Sequence, residues 1–448
     1  MTQTIAEIVG PGHVYNTVSS TESYSVDGVV PAMVLFPGDR EEARQILFTA
    51  SESGKRSIPW GNGTKMGWGN IPFKIDWVVS TRRLDRITDP DYENLTVTAE
   101  AGTRLSKIQD LLKGLGRGYF LPLDPPFSQT STLGGIVAGN SSGPKRRIYG
   151  TARDLILAMK VALPDGTQNT WGGKTVKNVA GYDMPKLYVG SFGTLGLITE
   201  VTLRILPLPE KESTLTALFG DAREAFKAVS EILQSRLLPS AVEIMDNRTA
   251  QALGLPFPGG DSGALLAVNF EGFCEAVERQ IRQLREMLEI FQVSAVDLLE
   301  DTTQERFWTG LRDLESTPPF TSSGRVSYKV SLPVSKTAEV FHLLKETSRR
   351  MELDGALRCH AGNGIVEGEI LLNEDPHRKN EWLKALSEVR ARVRAFEGLM
   401  VIKAAPVAVK REIDVWGAPG KEFRLMEAVK NRFDPRRLLN PGRFVGGI

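Results

Sequence analysis

LPLDPPFSQTSTLGGIVAGNSSGPKRRIYG at 121–150 and KTVKNVAGYDMPKLYVGSFGTLGLITEVTLRILPLPE at 174–210 decide the fold. Each is a glycine-dense loop beside an apolar run. Glycine has no Cβ and tolerates positive φ, so such loops bring backbone N–H groups close to a large anion. Gly190, Gly193 and Gly196 lead straight into Leu197–Leu203, a β-branched run that reads as a buried strand. In a P-loop or Rossmann turn the strand comes first and a helix follows. The order here is the reverse. WGGKT at 171–175 lacks the glycine that a phosphate-binding loop needs at position 168, where Gln168 stands. Gly61-Asn62-Gly63 continues as Thr64-Lys65-Met66, which breaks the G-x-G-x-x-G fingerprint.

The 448 residues suffice for two to three domains with ample core. Hydrophobic residues make up 41% and charged residues 24%, an ordinary globular balance. A net charge of +1 supplies no field for nucleic acid or an anionic membrane. Two cysteines, Cys274 and Cys359, leave no disulfide framework or cysteine-held cluster, so iron–sulfur chemistry would need another chain. The first residues lack a basic n-region followed by an apolar core, and no apolar run is long enough to span a bilayer. The expected location is cytoplasmic, with contact to the inner membrane only through partners.

Residues 1–31 read as an arm with a short helix. Ala32–Phe36 reads as a strand, and Asp39 caps a helix with acids in its first turn. Arg56–Pro59, Trp77–Ser80 and Thr96–Ala101 read as strands, and Thr103 as the cap of a helix Arg104–Leu112. This alternation suits an α+β domain in two subdomains, 32–95 and 96–209. A repeat follows. Residues 214–298 run strand, helix Asp221–Ser235, strands Ala241–Met245 and Ala264–Phe270, helix Glu275–Phe291, strand Val293–Leu298. Residues 325–405 repeat it: strand Val326–Leu332, helix Ser335–Met351, strands Ala356–Cys359 and Ile365–Leu372, helix His377–Phe396, strand Met400–Ala404. Both are βαββαβ, the ferredoxin-like order, and two such halves make one antiparallel sheet with helices on one face. The linker is PPFTSS at 318–323.

Four separated motifs occur in one order: IPWGNGTKMGWG at 58–69, the two loops above, and DPRRLLNPGRF at 434–444. Together they resemble the vanillyl-alcohol oxidase, or PCMH-type, FAD-binding flavoproteins, and within these the FAD-binding E-type subunits of bacterial glycolate oxidase. The resemblance implies a PCMH-type domain at 32–209, a cap or substrate domain at 213–420, and a return to the flavin domain at 421–448. It implies bound FAD, with Pro59, Trp60, Gly61, Asn62, Gly63, Thr64 and Lys65 in the first loop. Asp124, Pro125, Thr132, Gly134, Gly135, Gly139, Asn140, Ser141 and Ser142 are implied on the flavin side, with Gly193, Gly196 and Ile198 toward the adenine. Covalent relatives often carry histidine where Thr64 stands, so the flavin is expected to be non-covalent. Lys177-Asn178 with Gly181-Tyr182-Asp183 matches a motif of the same branch, although Tyr182 could simply pack and Asp183 cap a helix.

The resemblance further implies an oxidoreductase acting on the CH–OH of 2-hydroxy acids. A second flavoprotein subunit and an iron–sulfur subunit are the implied partners. The alternatives are a free-standing dehydrogenase and a structural subunit that has lost flavin. Wider relatives surround substrate and metal with H-x-G-D-G-N-x-H and E-H-G. Here His360-Ala361-Gly362-Asn363-Gly364 keeps the first half, Glu367 replaces the second histidine, and Lys403-Ala404-Ala405-Pro406 replaces E-H-G. No metal is expected. His360 is the candidate general base, packing at a strand end being its other reading. Lys329, with Arg325 in reserve, is the candidate cation for a substrate carboxylate, and either could instead be a solvated strand-end charge.

Overall fold

Asp39 sits in extended backbone, and its carboxylate accepts from the Glu42 N–H at 2.8 Å, starting the helix Arg40–Glu52. The computed structural model describes residues 4–174, 181–255, 257, 260–322, 324–372 and 376–448. Lys177-Asn178 lies outside the described residues. The chain divides into two compact units: Met1–Ser142 with Gly150–Leu208 and Lys410–Ile448, and Gly143–Tyr149 with Pro209–Val409. No helix among the described residues is long and apolar enough to cross a membrane.

The first unit holds two main sheets. In one, Met33–Leu35 and Ser57–Trp60 flank Trp77–Ser80 in parallel, and Val14–Tyr15 adds an antiparallel edge. The arm expected at 1–31 thus contributes a strand. The other is antiparallel, in the order Ile87–Asp89, Thr96–Glu100, Leu197–Arg204, Ile156–Ala162, Gln168–Gly172. Ile87–Asp89 therefore pairs beyond the boundary expected at residue 95. Leu197–Arg204 is central, and all of it but Arg204 is buried. The helix after Thr96–Glu100 is Leu105–Lys113, with Arg104 at its N-cap; the Thr103 hydroxyl is drawn away to the Arg86 carbonyl at 3.3 Å.

The second unit is one eight-stranded antiparallel sheet, as the repeat implied. Its order is Val293–Leu299, Lys211–Phe219, Ala264–Gly272, Ala241–Met245, Asp354–His360, Ile365–Leu371, Arg325–Ser331, Leu399–Ala404. Strand side chains alternate between faces. Tyr328, Ile370 and Met400 pack against the helices Thr337–Arg350 and Pro376–Ala395. The opposite face is where the sequence reading fell short. A helix Asp301–Arg312, unforeseen between the halves, lays Phe307, Trp308 and Leu311 over it, and Trp308 Nε1 donates to Thr214 Oγ1 at 2.8 Å.

Gly368 pairs directly with Tyr328, whose buried ring lies over it; a Cβ at Gly368 would sit 2.3 Å from the ring. Gly368→Val is expected to destabilise the chain by about 1–3 kcal/mol, the usual range for overpacking. Urea denaturation of wild type and variant measures this, and unchanged stability would show that the ring moves freely.

Candidate functional site

In the first unit, three segments converge on one open cavity. The loop after Ser57–Trp60 is stitched to the segment before the helix Leu133–Gly139. Asn62 Nδ2 donates to the Thr130 carbonyl at 3.0 Å, and Lys65 Nζ donates to Ser131 Oγ at 2.7 Å. The approach is so close that a Cβ on Gly61 would lie 2.1 Å from Thr132 Oγ1. The third segment is the Gly190–Gly196 loop. There Gly193, at φ +68°, lies against Pro59.

The tail holds these loops together. Asn440 Nδ2 donates to the Phe192 carbonyl, and Arg443 Nη2 donates to the carbonyls of Met66 at 2.7 Å and Trp68. Lys430, fully buried, donates to the carbonyls of Thr194 at 2.8 Å and Leu439 at 2.9 Å and pairs with Asp434 at 2.7 Å.

Pro59, Trp60, Gly61, Asn62, Gly63, Thr64, Lys65, Thr132, Gly134, Gly135, Gly139, Gly193, Gly196 and Ile198 all line the cavity. Five residues expected with them do not. Asp124 and Pro125 are buried. Asn140 adopts the left-handed conformation at φ +43° and ends the helix, and Asn140 Oδ1, Ser141 Oγ and Ser142 Oγ are buried with no hydrogen-bond partner among the described residues. Sequence reasoning missed Met66, Trp68, Ala138, Phe192, Asn440 and Arg443 on the wall. The last two sit in the NPGR run of a motif already singled out.

The residues fit FAD. Glycine-rich backbone and the cations Lys65 and Arg443 suit a diphosphate, while Met66, Trp68, Ala101, Leu197 and Ile198 suit rings. Arg443 is buried with its Nε unpartnered among the described residues, and burial lowers its guanidinium to about 10. A Cβ on Gly139 would meet only Trp68 and Lys65, at 3.9 and 4.0 Å. One on Gly134 would instead strike Ala101 at 2.8 Å, so that glycine serves helix packing. Gly139→Val is expected to leave the circular dichroism spectrum unchanged and to cut the FAD carried per chain by at least about tenfold, a change of ~1.4 kcal/mol in binding. Full flavin content in that variant would place the cofactor elsewhere.

In the second unit, one face of the sheet carries a buried ionic network. Glu243 and His360 are cross-strand partners, and Nδ1 of His360 lies 2.7 Å from Glu243 Oε1. Arg358 donates twice to Glu367 Oε2, at 3.0 and 2.8 Å, and once to the Leu311 carbonyl. Lys403 donates to Glu315 at 2.8 Å and reaches Glu367 Oε1 at 3.5 Å. Arg325, the reserve carboxylate ligand, is engaged with Glu315 at 3.0 Å and Glu369 at 3.4 Å. Lys329 stands opposite Glu367 in the ladder, yet among the described residues no hydrogen bond or ion pair reaches its ammonium. Burial pushes Lys329 down to about 8; Glu367 opposes that, and the charges of Arg146 and Lys403 reinforce it.

Burial alone would raise Glu367, but Lys403 and Arg358 overcome it and hold the carboxylate well below its ordinary range. With both of its oxygens on internal cations, Glu367 makes a poor metal ligand. Among the described residues, no three His, Cys, Asp or Glu side chains gather where an ion could sit. Burial and the nearby Glu315 raise Glu369 to about 7. A carboxyl raised on folding binds its proton more tightly in the folded state. Its contribution to stability is therefore greatest below the ordinary carboxylate range and is lost as pH rises toward about 7. Glu369→Gln should gain stability relative to wild type between pH 5 and pH 8, read from denaturation curves at both; a pH-independent difference would contradict the raised value.

The family described as "FAD binding domain" matches residues 31–172, and "FAD linked oxidases, C-terminal domain" matches 208–444. The glycolate oxidase subunit GlcD of Bacillus subtilis is 28% identical, covering 98% of this chain and 95% of that protein. A D-lactate dehydrogenase of Archaeoglobus fulgidus is 27% identical over 98% of this chain and 97% of its own length. In three dimensions the chain is similar to p-cresol methylhydroxylase with substrate bound (TM-score 0.77, 14% identity, 99% of this chain and 95% of that one). It is also similar to a 4-ethylphenol oxidase from Gulosibacter chungangensis (TM-score 0.75, 15% identity, 98% and 95%). The glycolate-oxidase relative carries the D designation.

Proposed function

Because the chain belongs to the FAD-linked oxidase family, we propose that it oxidises a small 2-hydroxy acid. We place it as a subunit that passes electrons to a second flavoprotein and an iron–sulfur protein. The observation that carries the substrate class is the presence, on one polar sheet face, of a carboxylate-bound imidazole, His360, and of an ammonium, Lys329, that no hydrogen bond or ion pair reaches among the described residues. Two full-length relatives named for glycolate and for D-lactate support it.

In this reading Lys329 holds the substrate carboxylate, as a point charge without the bidentate fork of arginine. Nε2 of His360 receives the proton of the 2-hydroxyl as the Cα–H bond breaks. When bound, FAD supplies the acceptor for the hydride that leaves Cα. Partner-dependence rests on the altered substrate motif, with Glu367 and Lys403 replacing expected ligands. The dehydrogenase relative favours a second reading, in which the chain is self-sufficient.

Anaerobic addition of glycolate and D-lactate to the purified yellow protein tests both. Bleaching of the flavin band without partners supports the self-sufficient enzyme; bleaching only after adding neighbouring subunits supports the complex; none in either case rejects the substrate class. Lys329→Met should raise the half-saturating hydroxy-acid concentration by about tenfold or more, the value of one charged hydrogen bond. His360→Ala should abolish bleaching with FAD retained.

A further inference from the structure

We propose that Glu243 is the positioning residue of His360, fixing the imidazole with its proton on Nδ1 so that Nε2 is the acceptor presented to substrate. The proposal rests on the reading of His360 as base. Glu243 is an acid alone in an apolar strand, Ala241-Val242-Glu243-Ile244-Met245, with 1% of its side chain exposed. Burying a carboxylate there is costly unless it is paired. One oxygen meets Nδ1 of His360 at 2.7 Å, and the other, Oε2, has no partner among the described residues.

An ionised carboxylate can only accept, so the ring nitrogen facing it must donate. That assigns the tautomer, with the lone pair on Nε2. The backbone around the ring is already pinned. The Ala361 N–H donates to the Val242 carbonyl at 2.9 Å, and the Asn363 N–H donates to the His360 carbonyl at 2.9 Å. Arg147 Nη1 donates to the Gly362 carbonyl at 3.3 Å. What remains free is rotation of the ring, and Glu243 removes it. Burial raises the Glu243 carboxyl, and His360 opposes that rise. The half-satisfied carboxylate therefore gains when the imidazole takes up a proton, which is the event a base must undergo. No bond other than this proton transfer is needed, and Glu243 does not touch the substrate.

Long-range ¹H–¹⁵N spectra of the histidine-labelled holoprotein test the assignment without turnover, the His360 signals being identified by their loss in His360→Gln. The expected spectrum has Nδ1 protonated and Nε2 bare in wild type, with the bare-Nδ1 form appearing in Glu243→Gln. In anaerobic reduction by D-lactate, Glu243→Gln should slow the flavin step by about a hundredfold, the low end for losing a positioned base, with half-saturation unchanged. Glu243→Asp, which keeps the charge, should recover part of the rate. A wild-type spectrum with Nε2 protonated overturns the proposal, whatever the variants do. So does a Glu243→Gln protein with unaltered tautomer and rate. If His360→Ala reduces flavin normally while the tautomer is as expected, the base reading fails and the positioning contact stands.

Discussion

A buried ammonium holds the flavin-binding unit in register. Lys430 has no exposed side chain, and it gathers the carbonyls of Thr194 and Leu439 and the carboxylate of Asp434 around one charge. Truncating one partner of such a cluster strands charge in the interior, at a cost of about 3–5 kcal/mol. The glycine loops therefore do not keep their shape by their own turns alone. Asn440 and Arg443 extend the same tail to Phe192, Met66 and Trp68, so both loops answer to one segment. Arg443 is at once a staple and part of the cavity wall, which makes flavin affinity and local stability inseparable there.

The second unit solves a different problem. A sheet with helices on one face usually leaves the other to solvent or to a second apolar layer. Here the face under Asp301–Arg312 is apolar at one end and ionic at the other. At the ionic end Glu315, Glu367 and Glu369 are answered by Arg325, Arg358 and Lys403, while among the described residues Oε2 of Glu243 and the ammonium of Lys329 have no partner. Networks of this kind are weak as stabilisers but strict about which group may ionise. An uncompensated position inside one is where an external anion or a moving proton has something to gain.

Much of this was legible in the sequence because periodicity and glycine spacing act locally. The two βαββαβ halves were read from alternation alone, and Leu197–Leu203 from its β-branched run after the glycine loop. Thr103 was misread as a cap because its hydroxyl finds a carbonyl from Arg86, a distant partner that no local rule exposes. The helix Asp301–Arg312 was overlooked for the same reason. Its apolar residues face a sheet assembled from strands on both sides of it in the chain. Asn140, Ser141 and Ser142 were singled out from their chemistry; they do not line the cavity, yet their polar oxygens are buried without a hydrogen-bond partner among the described residues. Glu243 could have been noticed as a lone acid among apolar neighbours. Its partner, 117 residues away, could not.

The threading of the chain has a consequence for its biogenesis. Gly143–Tyr149 belongs to the second unit although flanked by sequence of the first, and Lys410–Ile448 completes the first unit after the whole of the second. During synthesis, the residues that staple the flavin loops leave the ribosome after everything they clamp. The nascent chain has its glycine loops long before it has the means to hold them. Stapling of the flavin loops is thus a late event in synthesis, and cutting the gene near residue 209 would yield two fragments that each lack a piece carried by the other.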